Sequence, residues 1–336
     1  IEAAIGPSER SSGGENHTMI YFGTDPEFGI LDPSGKPTSA HLYYPHKTGK
    51  IDVEMDGAIY RDGYMLELEV APSECRRILL SRLSRVLQAA KSMLPAGFTL
   101  TTCPALPVDL KYMEDKKLPP DLLSFGCEPS INAYTMDAKA PSLHAIEHPW
   151  RYAGGHMHFG WHSDWANFRW FSDSIENQVD FVKMLDLYLG VPLARIFHHK
   201  NQWRRREWYG RAGEFRFQDY GNKWCGVEYR SPSPEIFNNY GIASWAFGIG
   251  RWILGNFTVA RDVRSKVPDE AVIAAINKGK INDGLLMEVP LFYNPQVVRN
   301  LAEMGGINTF ELLTNPYIFN GRTELGCTEW RAEHHI

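Results

Sequence analysis

Alternating apolar and polar residues predict short strands at several points in the chain, and the clearest is Tyr64–Val70 (YMLELEV). Leu66 and Leu68 alternate with Glu67 and Glu69, and successive side chains of a strand point to opposite faces of the sheet. The segment is therefore predicted to bury one face and to present two acids on the other. Paired acids either face solvent or bind a cation, and this segment alone leaves both open.

Residues 211–234 predict a hairpin of two strands joined by a Gly-Asn turn. Each strand places polar side chains on one face and apolar side chains on the other. A solvated face would favour lysine, threonine and serine, so the repeated pairing of Glu with Arg raises the question of a site. The polar face carries Glu214, Arg216 and Gln218 on the first strand, then Glu228 and Arg230 on the second.

Another acidic pair lies in Thr18–Ile30, where Asp25 and Glu27 share a face if the chain stays extended. Pro26 between them predicts an edge strand or a bulge. Two neighbouring carboxylates repel each other unless a cation or an arginine neutralises them. A turn with solvated acids is the alternative.

A pair of histidines, His156 and His158, follows a Gly-Gly dipeptide in Arg151–Trp161 (RYAGGHMHFGW). The glycines allow a bulge or a close backbone approach. Two histidines at i, i+2 suit a cupin-type metal site, although the acid that usually follows in such sites is missing here. A core or surface role is the alternative.

Apolar residues with helical periodicity predict several helices. Ser73 is the candidate N-cap of the first, and Gly190, which precedes Pro192, is the predicted stop of the second. The predicted helices span residues 73–94, 172–190, 234–257, 268–278 (with Gly279 as the stop) and 294–304.

Composition limits the class of protein. The chain has 336 residues, of which 43% are hydrophobic and 22% charged, so it can bury a sizeable core. Its net charge of −5 argues against a broad nucleic-acid footprint. Five scattered cysteines without CxxC spacing favour a reducing cytoplasm. The most apolar stretch, Tyr240–Phe257, contains Arg251 and predicts a buried helix and no membrane span.

The predicted organisation is a mobile tail over residues 1–17 and a single catalytic domain over 18–336, whose part 235–336 is mainly helical. Five strands with polar pairs predict an α+β fold. Its core would be a curved antiparallel sheet with a charged concave face and helices on the other face.

No Walker-type GxxxxGK[ST] motif is present, and no GxGxxG follows a strand. A nucleotide would therefore bind through divalent ions and arginines on the sheet. Three consecutive arginines, Arg204–Arg206, precede the hairpin and either form a solvated face or reach the same cleft. Together these features describe a site of the glutamine-synthetase type.

The order of the motifs resembles the phage-type carboxylate–amine (COOH–NH2) ligases, the amidoligase type 2 family, which is related in fold to glutamine synthetase and glutamate–cysteine ligase. The resemblance extends from about Met19 to Pro234, about two thirds of the chain. It rests on GTDPEFGILDPSGKP, DGYMLELEVAP, FGCEPSINAY, RYAGGHMHFG, LDLYLGVP, RRREWYGRAGEFR and GVEYRSPSP.

The resemblance implies an ATP-dependent ligase that forms an amide through an acyl phosphate, with Mg²⁺ (or Mn²⁺) on the ATP phosphates. It implies catalytic roles for Arg216, Arg230 and Glu228. ATP would be held by Arg206, Arg211, Arg216 and His158. Metal would be held by Glu27, Glu67, Glu69, His156 and Glu228, although the family pattern relies mainly on the first acid of LELEV.

The expected partners are a substrate with a carboxylate and an amine acceptor, without nucleic acid or membrane, in the cytoplasm, or the host cytoplasm if the chain is phage-encoded. Two alternatives remain at this point. One is a metal-dependent hydrolase or cupin-like enzyme that uses His156 and His158. The other is a non-catalytic virion or binding protein on a ligase fold.

Overall fold

The computed structural model describes residues 20–109, 111, 122, 130–139, 148–164, 168–238 and 240–280. The predicted tail, parts of residues 95–146 and the predicted helix over 294–304 lie outside these residues. The division into a tail and a single domain therefore stays a prediction.

Fourteen strands lie in the described part of the chain, and twelve of them belong to one sheet in which every named pairing is antiparallel. The sheet order is β10-β9-β13-β14-β12-β1-β6-β2-β3, while β5 pairs with β6 and β4, β7 pairs with β2, and β8 pairs separately with β11. The strands are β1 (Tyr21–Thr24), β2 (Glu27–Leu31), β3 (Pro37–Thr38), β4 (Ile51–Val53), β5 (Gly57–Asp62), β6 (Met65–Ser73), β7 (Thr99–Thr101), β8 (Ala105–Pro107), β9 (Ser130–Asn132), β10 (Ala138–Lys139), β11 (Trp150–Tyr152), β12 (Met157–His162), β13 (Glu214–Gly221) and β14 (Trp224–Tyr229).

Helices in the described residues follow the strands of the first half and then dominate the second half. They are α1 (Arg76–Ser92), α2 (Arg169–Ser172), α3 (Ile175–Leu185), α4 (Val191–Ile196), α5 (Lys200–Trp208), α6 (Tyr240–Gly255), α7 (Phe257–Ser265) and α8 (Asp269–Lys278). A π-helical turn, Asp186–Gly190, joins α3 to α4. Short 3₁₀ turns lie at Ala40–Leu42, Lys47–Gly49 and Pro234–Asn238.

The strands predicted to carry polar pairs are neighbours in the sheet, in the order β13-β14-β12-β1-β6. Register places Arg216 opposite Glu228, Glu228 opposite His158, and His158 opposite Gly23. One row of side chains thus crosses β13, β14 and β12 on one face and ends at a glycine of β1. The predicted antiparallel sheet with a polar face and packed helices is confirmed.

The extended segment at the N-terminus is interrupted at Asp25–Pro26, as the proline predicts. β1 pairs with β12 on one edge, whereas β2 pairs with β3 and β7. Both β1 and β2 lie along the same edge of β6, and the amide of Leu68 donates to the carbonyl of Pro26 at 3.1 Å. The break therefore lets one stretch of chain serve two parts of the sheet.

Helices cover the apolar face of the sheet. α1 packs on β6 and on α6, and α3 packs on β14. Contact with α6 is close at Gly250, where an added Cβ would lie 2.0 Å from a ring carbon of Phe159. The long apolar stretch is thus a core helix, as predicted. Within the described residues, no helix combines the length and the apolar character needed to cross a membrane.

Two predicted helix boundaries are wrong. Helix α1 begins at Arg76, after an N-cap at Cys75, and Ser73 instead ends β6 and accepts the amide of Cys75 at 3.1 Å. Gly190 does not end the second helix. The helical path continues through the π turn and past Pro192. Proline has no N–H to donate, and the i→i+5 bond from the amide of Val191 to the carbonyl of Asp186 lets the turn accommodate it. By contrast, Gly279 ends α8 in the left-handed conformation (φ 59°), as predicted.

Candidate active site

Three side chains from separate strands meet at the centre of the polar face. Asp25 follows β1, His156 precedes β12 and Glu228 lies in β14, and a ligand atom of each lies within 4.8 Å of the others. We call this group the histidine cluster. Asp25 Oδ1 lies 3.1 Å from Nδ1 of His156 and 2.8 Å from Nε2 of His158.

Positive groups compensate the acids of the histidine cluster. Burial opposes the ionisation of Asp25, but His158 and His156 outweigh it and hold the pKa of its carboxyl well below the usual value. Burial likewise opposes the charge of Glu228, yet Arg230 and then His156 lower its pKa. Both acids are therefore ionised without any added cation.

A second group of acids, Glu27, Asp62 and Glu67, has carboxylate oxygens that all lie within 4.8 Å of one another. We call it the carboxylate cluster. Glu27 and Glu67 face each other across β2 and β6, and Asp62 ends the neighbouring strand β5. The hydroxyl of Tyr60 donates to Glu67 at 2.7 Å, and the amide of Gly154 donates to Glu27 at 2.5 Å.

Positive charge compensates the carboxylate cluster less than it compensates the histidine cluster, because Lys47, His156 and Arg230 act on it without a direct ion pair. Among the described residues, no Lys, Arg or His nitrogen lies within 4.0 Å of its carboxylates. Burial, followed by the charges of Asp62, Asp25 and Glu27, raises the pKa of Glu67 well above its usual value. Burial also raises the pKa of Glu27 and of Asp62.

Such a cluster fits a hard divalent cation. Glu27 and Glu67 are 4% and 7% exposed, and carboxylate oxygens are the ligands that Mg²⁺ and Ca²⁺ prefer. Three clustered acids, of which Glu27 and Glu67 are buried and Asp62 is partly buried, favour a cation, because it removes their mutual repulsion and the cost of burying charge. The donor set therefore suits Mg²⁺ or Mn²⁺.

Two arginines flank the histidine cluster in different environments. Arg230 donates to Glu228 at 2.8 Å and to the hydroxyl of Tyr209 at 3.1 Å, and its side chain is 1% exposed. Arg216, whose side chain is 20% exposed, lies 3.6 Å from the other oxygen of Glu228. A bound anion can reach Arg216, whereas Arg230 is enclosed and orients Glu228.

The predicted Gly-Gly approach is confirmed at this site. An added Cβ on Gly154 would lie 2.2 Å from His156 Nε2, and one on Gly155 would lie 2.3 Å from the carbonyl oxygen of Ser233. Glycine is therefore required at both positions, because any side chain would displace the imidazole or the neighbouring backbone.

Three residues predicted for the site have contacts elsewhere. Glu69 pairs with Lys50 at 3.0 Å on the rim. Arg206 is buried and donates to the carbonyl of Ile276 at 2.6 Å. Burial, followed by the charge of Arg205, lowers the pKa of Arg206 to about 9. Arg211 donates to the carbonyls of Arg206 and Glu207. The remaining predicted residues lie in or beside the two clusters: Glu27, Glu67, His156, His158, Arg216, Glu228 and Arg230.

The candidate ligand sets omitted Asp25, Asp62 and Tyr209. Asp25 shares a predicted face with Glu27, and Asp62 precedes Gly63 in an Asp-Gly pair, which is the sequence of a turn. Tyr209 lies in the loop after α5, and its hydroxyl contacts both His156 Nε2 and Arg230. Nothing in the local sequence around Tyr209 indicates this contact, because it depends on how α5 docks against the sheet.

Residues 145–281 match the family model described as phage phiEco32-like COOH.NH2 ligase-type 2. This match extends beyond Pro234 through helices α6 to α8, where sequence inspection found no motif. No curated protein matches the chain. Among solved structures, a bifunctional glutathione synthetase from Pasteurella multocida is 12% identical, with a TM-score of 0.44. That alignment covers 94% of this chain, which spans 51% of the synthetase chain.

Proposed function

We propose that this chain, a member of the phage phiEco32-like COOH.NH2 ligase-type 2 family over residues 145–281, is an ATP-dependent carboxylate–amine ligase. In the proposed reaction a substrate carboxylate attacks the γ-phosphorus of ATP, and ADP leaves. The resulting acyl phosphate is then attacked at its carbonyl carbon by a substrate amine. The amine loses a proton, inorganic phosphate leaves, and an amide remains.

The observation that carries the proposal is the pairing of the carboxylate cluster, whose acids all have raised pKa values, with the arginine-flanked histidine cluster on one sheet face. Phosphoryl transfer requires neutralisation of phosphate charge and in-line positioning more than it requires a strong protein nucleophile. The carboxylate cluster supplies ligands for divalent metal, and Arg216 supplies a reachable cation. Both requirements are thus met within a few strands.

Glu27, Asp62 and Glu67 would hold Mg²⁺, and Asp25, His156 and Glu228 offer a second set of ligand atoms. Bound Mg²⁺ would neutralise phosphate oxygens and so lower the barrier to transfer. Arg216 would bind the transferred phosphoryl group, and Arg230 would keep Glu228 ionised and oriented. His158, whose pKa is raised because Asp25 outweighs burial, would add positive charge beside the phosphates.

The test is isotope transfer. The protein is incubated with Mg-ATP and pools of amino acids or short peptides whose carboxylates carry ¹⁸O. An acyl-phosphate route moves one ¹⁸O into inorganic phosphate as ADP and amide form, and mass spectrometry of the phosphate detects it. Formation of ADP with unlabelled phosphate only would contradict this route. Glu69→Gln, whose carboxylate pairs with Lys50 on the rim, is the matched control for Glu67→Gln and should keep its activity.

The alternative hydrolase requires His156 and His158 on one metal ion. In the described residues the ligand atoms close enough to share an ion come from Asp25, His156 and Glu228, and this set omits His158. Elemental analysis of the purified protein separates the two functions. Tightly bound zinc or iron without nucleotide affinity would favour the hydrolase.

The expected partners are ATP, a carboxylate substrate and an amine acceptor. We expect the protein to work in a cytoplasm, because the reaction consumes ATP and because Cys75, Cys103 and Cys225 are free thiols.

A further inference from the structure

A fully buried arginine, Arg205, stacks over the ring of Tyr209 and donates its hydrogen bonds to backbone oxygens. It extends from α5, and its guanidinium donates to the carbonyls of Ala153 at 2.6 Å, Ser231 at 2.9 Å and Pro232 at 2.8 Å. A fourth bond reaches the carbonyl of Arg230 at 3.2 Å. Among the described residues no carboxylate pairs with it directly, so its charge is satisfied by oriented carbonyl dipoles.

The carbonyls that Arg205 binds belong to two chain segments, one beside each cluster. Ala153 precedes Gly154, whose amide donates to the carboxylate of Glu27 and whose carbonyl accepts the amide of Glu27 at 2.9 Å. Arg230 begins the other segment and pairs with Glu228. One guanidinium therefore ties the segment that supports the carboxylate cluster to the segment that supports the histidine cluster.

We propose that Arg205 is a positioning residue that fixes Glu27 in the carboxylate cluster by joining the segment at Ala153 to the segment at Arg230–Pro232. The inference rests on the proposed function because it assigns Arg205 a role in forming the metal site. Partners that orient metal ligands typically contribute 10–100-fold to metal affinity. Arg205 acts on Glu27 through the Gly154 amide and touches no substrate.

Lysine cannot replace Arg205 in this role. A guanidinium presents its donors in a fixed planar fork, whereas an ammonium is a point with three donors. Four carbonyls spread over two segments match the fork, and a lysine would leave at least one of them unsatisfied. Arg205→Lys keeps the positive charge but removes the planar fork of donors, so it tests whether the fork is needed.

Gly210 offers a second way to displace the guanidinium. It has φ +67°, and an added Cβ would lie 2.0 Å from Arg205 Nη1. Gly221 has φ +77° with nothing within 4 Å of an added Cβ. Gly210→Ala and Gly221→Ala therefore impose similar backbone strain, but only the first pushes on Arg205.

The experiment measures Mn²⁺ binding by electron paramagnetic resonance in the absence of nucleotide. The Mn²⁺ ion whose binding is lost in Glu67→Gln is the one held by the carboxylate cluster. Arg205→Lys and Gly210→Ala should weaken the binding of that same Mn²⁺ ion by about 10- to 100-fold. Arg204→Lys, on the same helix but stacked on Trp150, and Gly221→Ala should bind it as the wild type does. Free guanidinium, but not methylammonium, should restore binding to Arg205→Ala.

Other outcomes would overturn the inference. Wild-type Mn²⁺ affinity in both Arg205→Lys and Gly210→Ala would show that Glu27 does not depend on this arginine. Equal loss of the ion in Leu83→Ala, a core variant in α1 on the apolar side of the sheet, would assign the effect to general destabilisation. Absence of Mn²⁺ binding by the wild type would refute the proposed function itself, and the inference with it.

Discussion

Glu67→Gln should stabilise the metal-free protein while it removes the metal site. The substitution keeps the side-chain shape, and an amide oxygen can still accept the bond from Tyr60 that now reaches Glu67 at 2.7 Å. It deletes one of three carboxylates whose oxygens lie within 4.8 Å of one another. Functional sites often retain such unfavourable groups at the expense of stability.

The size of the gain follows from the spacing of the acids. Two unit charges 4.8 Å apart repel by about 3.5 kcal/mol at an effective dielectric constant of 20. Protonation of Glu67 relieves part of this repulsion, so we expect a net gain of about 1–3 kcal/mol at pH 8. Because the pKa of Glu67 is raised in the folded state, its favourable contribution is complete below the unfolded value of 4.5 and is lost as pH rises through the folded pKa. The advantage of the variant should therefore grow with pH.

Urea denaturation in EDTA and in excess Mg²⁺ measures both effects. In EDTA the variant should unfold at higher urea than the wild type. Mg²⁺ at about 100 times its dissociation constant should stabilise the wild type by about 2.7 kcal/mol and the variant by much less. Glu69→Gln is the control and should change stability by no more than about 1 kcal/mol, because its pair with Lys50 is largely exposed. A variant that is less stable in EDTA, or equally stabilised by Mg²⁺, would refute the reasoning.

Three further predictions concern stability. Burial raises the pKa of Asp186 to about 6 from 3.8, so wild-type stability should fall by about 3 kcal/mol as pH rises through this range. A urea series at several pH values should find this slope absent in Asp186→Asn, and a slope retained by the variant would contradict the assignment. Arg230→Met should destabilise by about 3–5 kcal/mol, because buried Glu228 loses its nearest positive partner. Adding Glu228→Gln should restore stability but not activity. Calorimetry and ADP release test this, and a double variant as unstable as the single one would refute it. Gly250→Ala should lower the free energy of unfolding by about 1–3 kcal/mol through overpacking against Phe159. Gly255→Ala, with open space at its Cβ, should not destabilise the protein. Equal unfolding midpoints for the two variants would refute the predicted clash.

The strand pattern could be predicted because alternation is local. Leu66 and Leu68 must point away from Glu67, and the same rule holds along each of the five strands. For the arrangement of the strands, the sequence predicted only that their polar pairs share one face of a sheet. That His158 faces Glu228, and Glu67 faces Glu27, depends on strand order, which alternation does not encode.

The arginine run shows the limit of sequence reasoning. Consecutive residues of a helix point about 100° apart, so the three arginines of α5 cannot share one task. Arg204 stacks on Trp150, Arg205 binds two chain segments, and Arg206 reaches Ile276. Which arginine points inward is set by the docking of α5, and no local motif records it.

The interruption at Asp25–Pro26 also constrains how the gene can vary. Insertion or deletion of one residue between Asp25 and Glu27 would shift the following side chains by one position, and period-two alternation would turn Glu27 toward the helices. Insertions and deletions should therefore abolish the site there, whereas point substitutions at neighbouring surface positions should be tolerated. The hairpin turn at Gly221 and Asn222 is the opposite case, since it is exposed and Gly221 has open space around it. A fluorophore or affinity tag for studying the protein is best inserted at that turn.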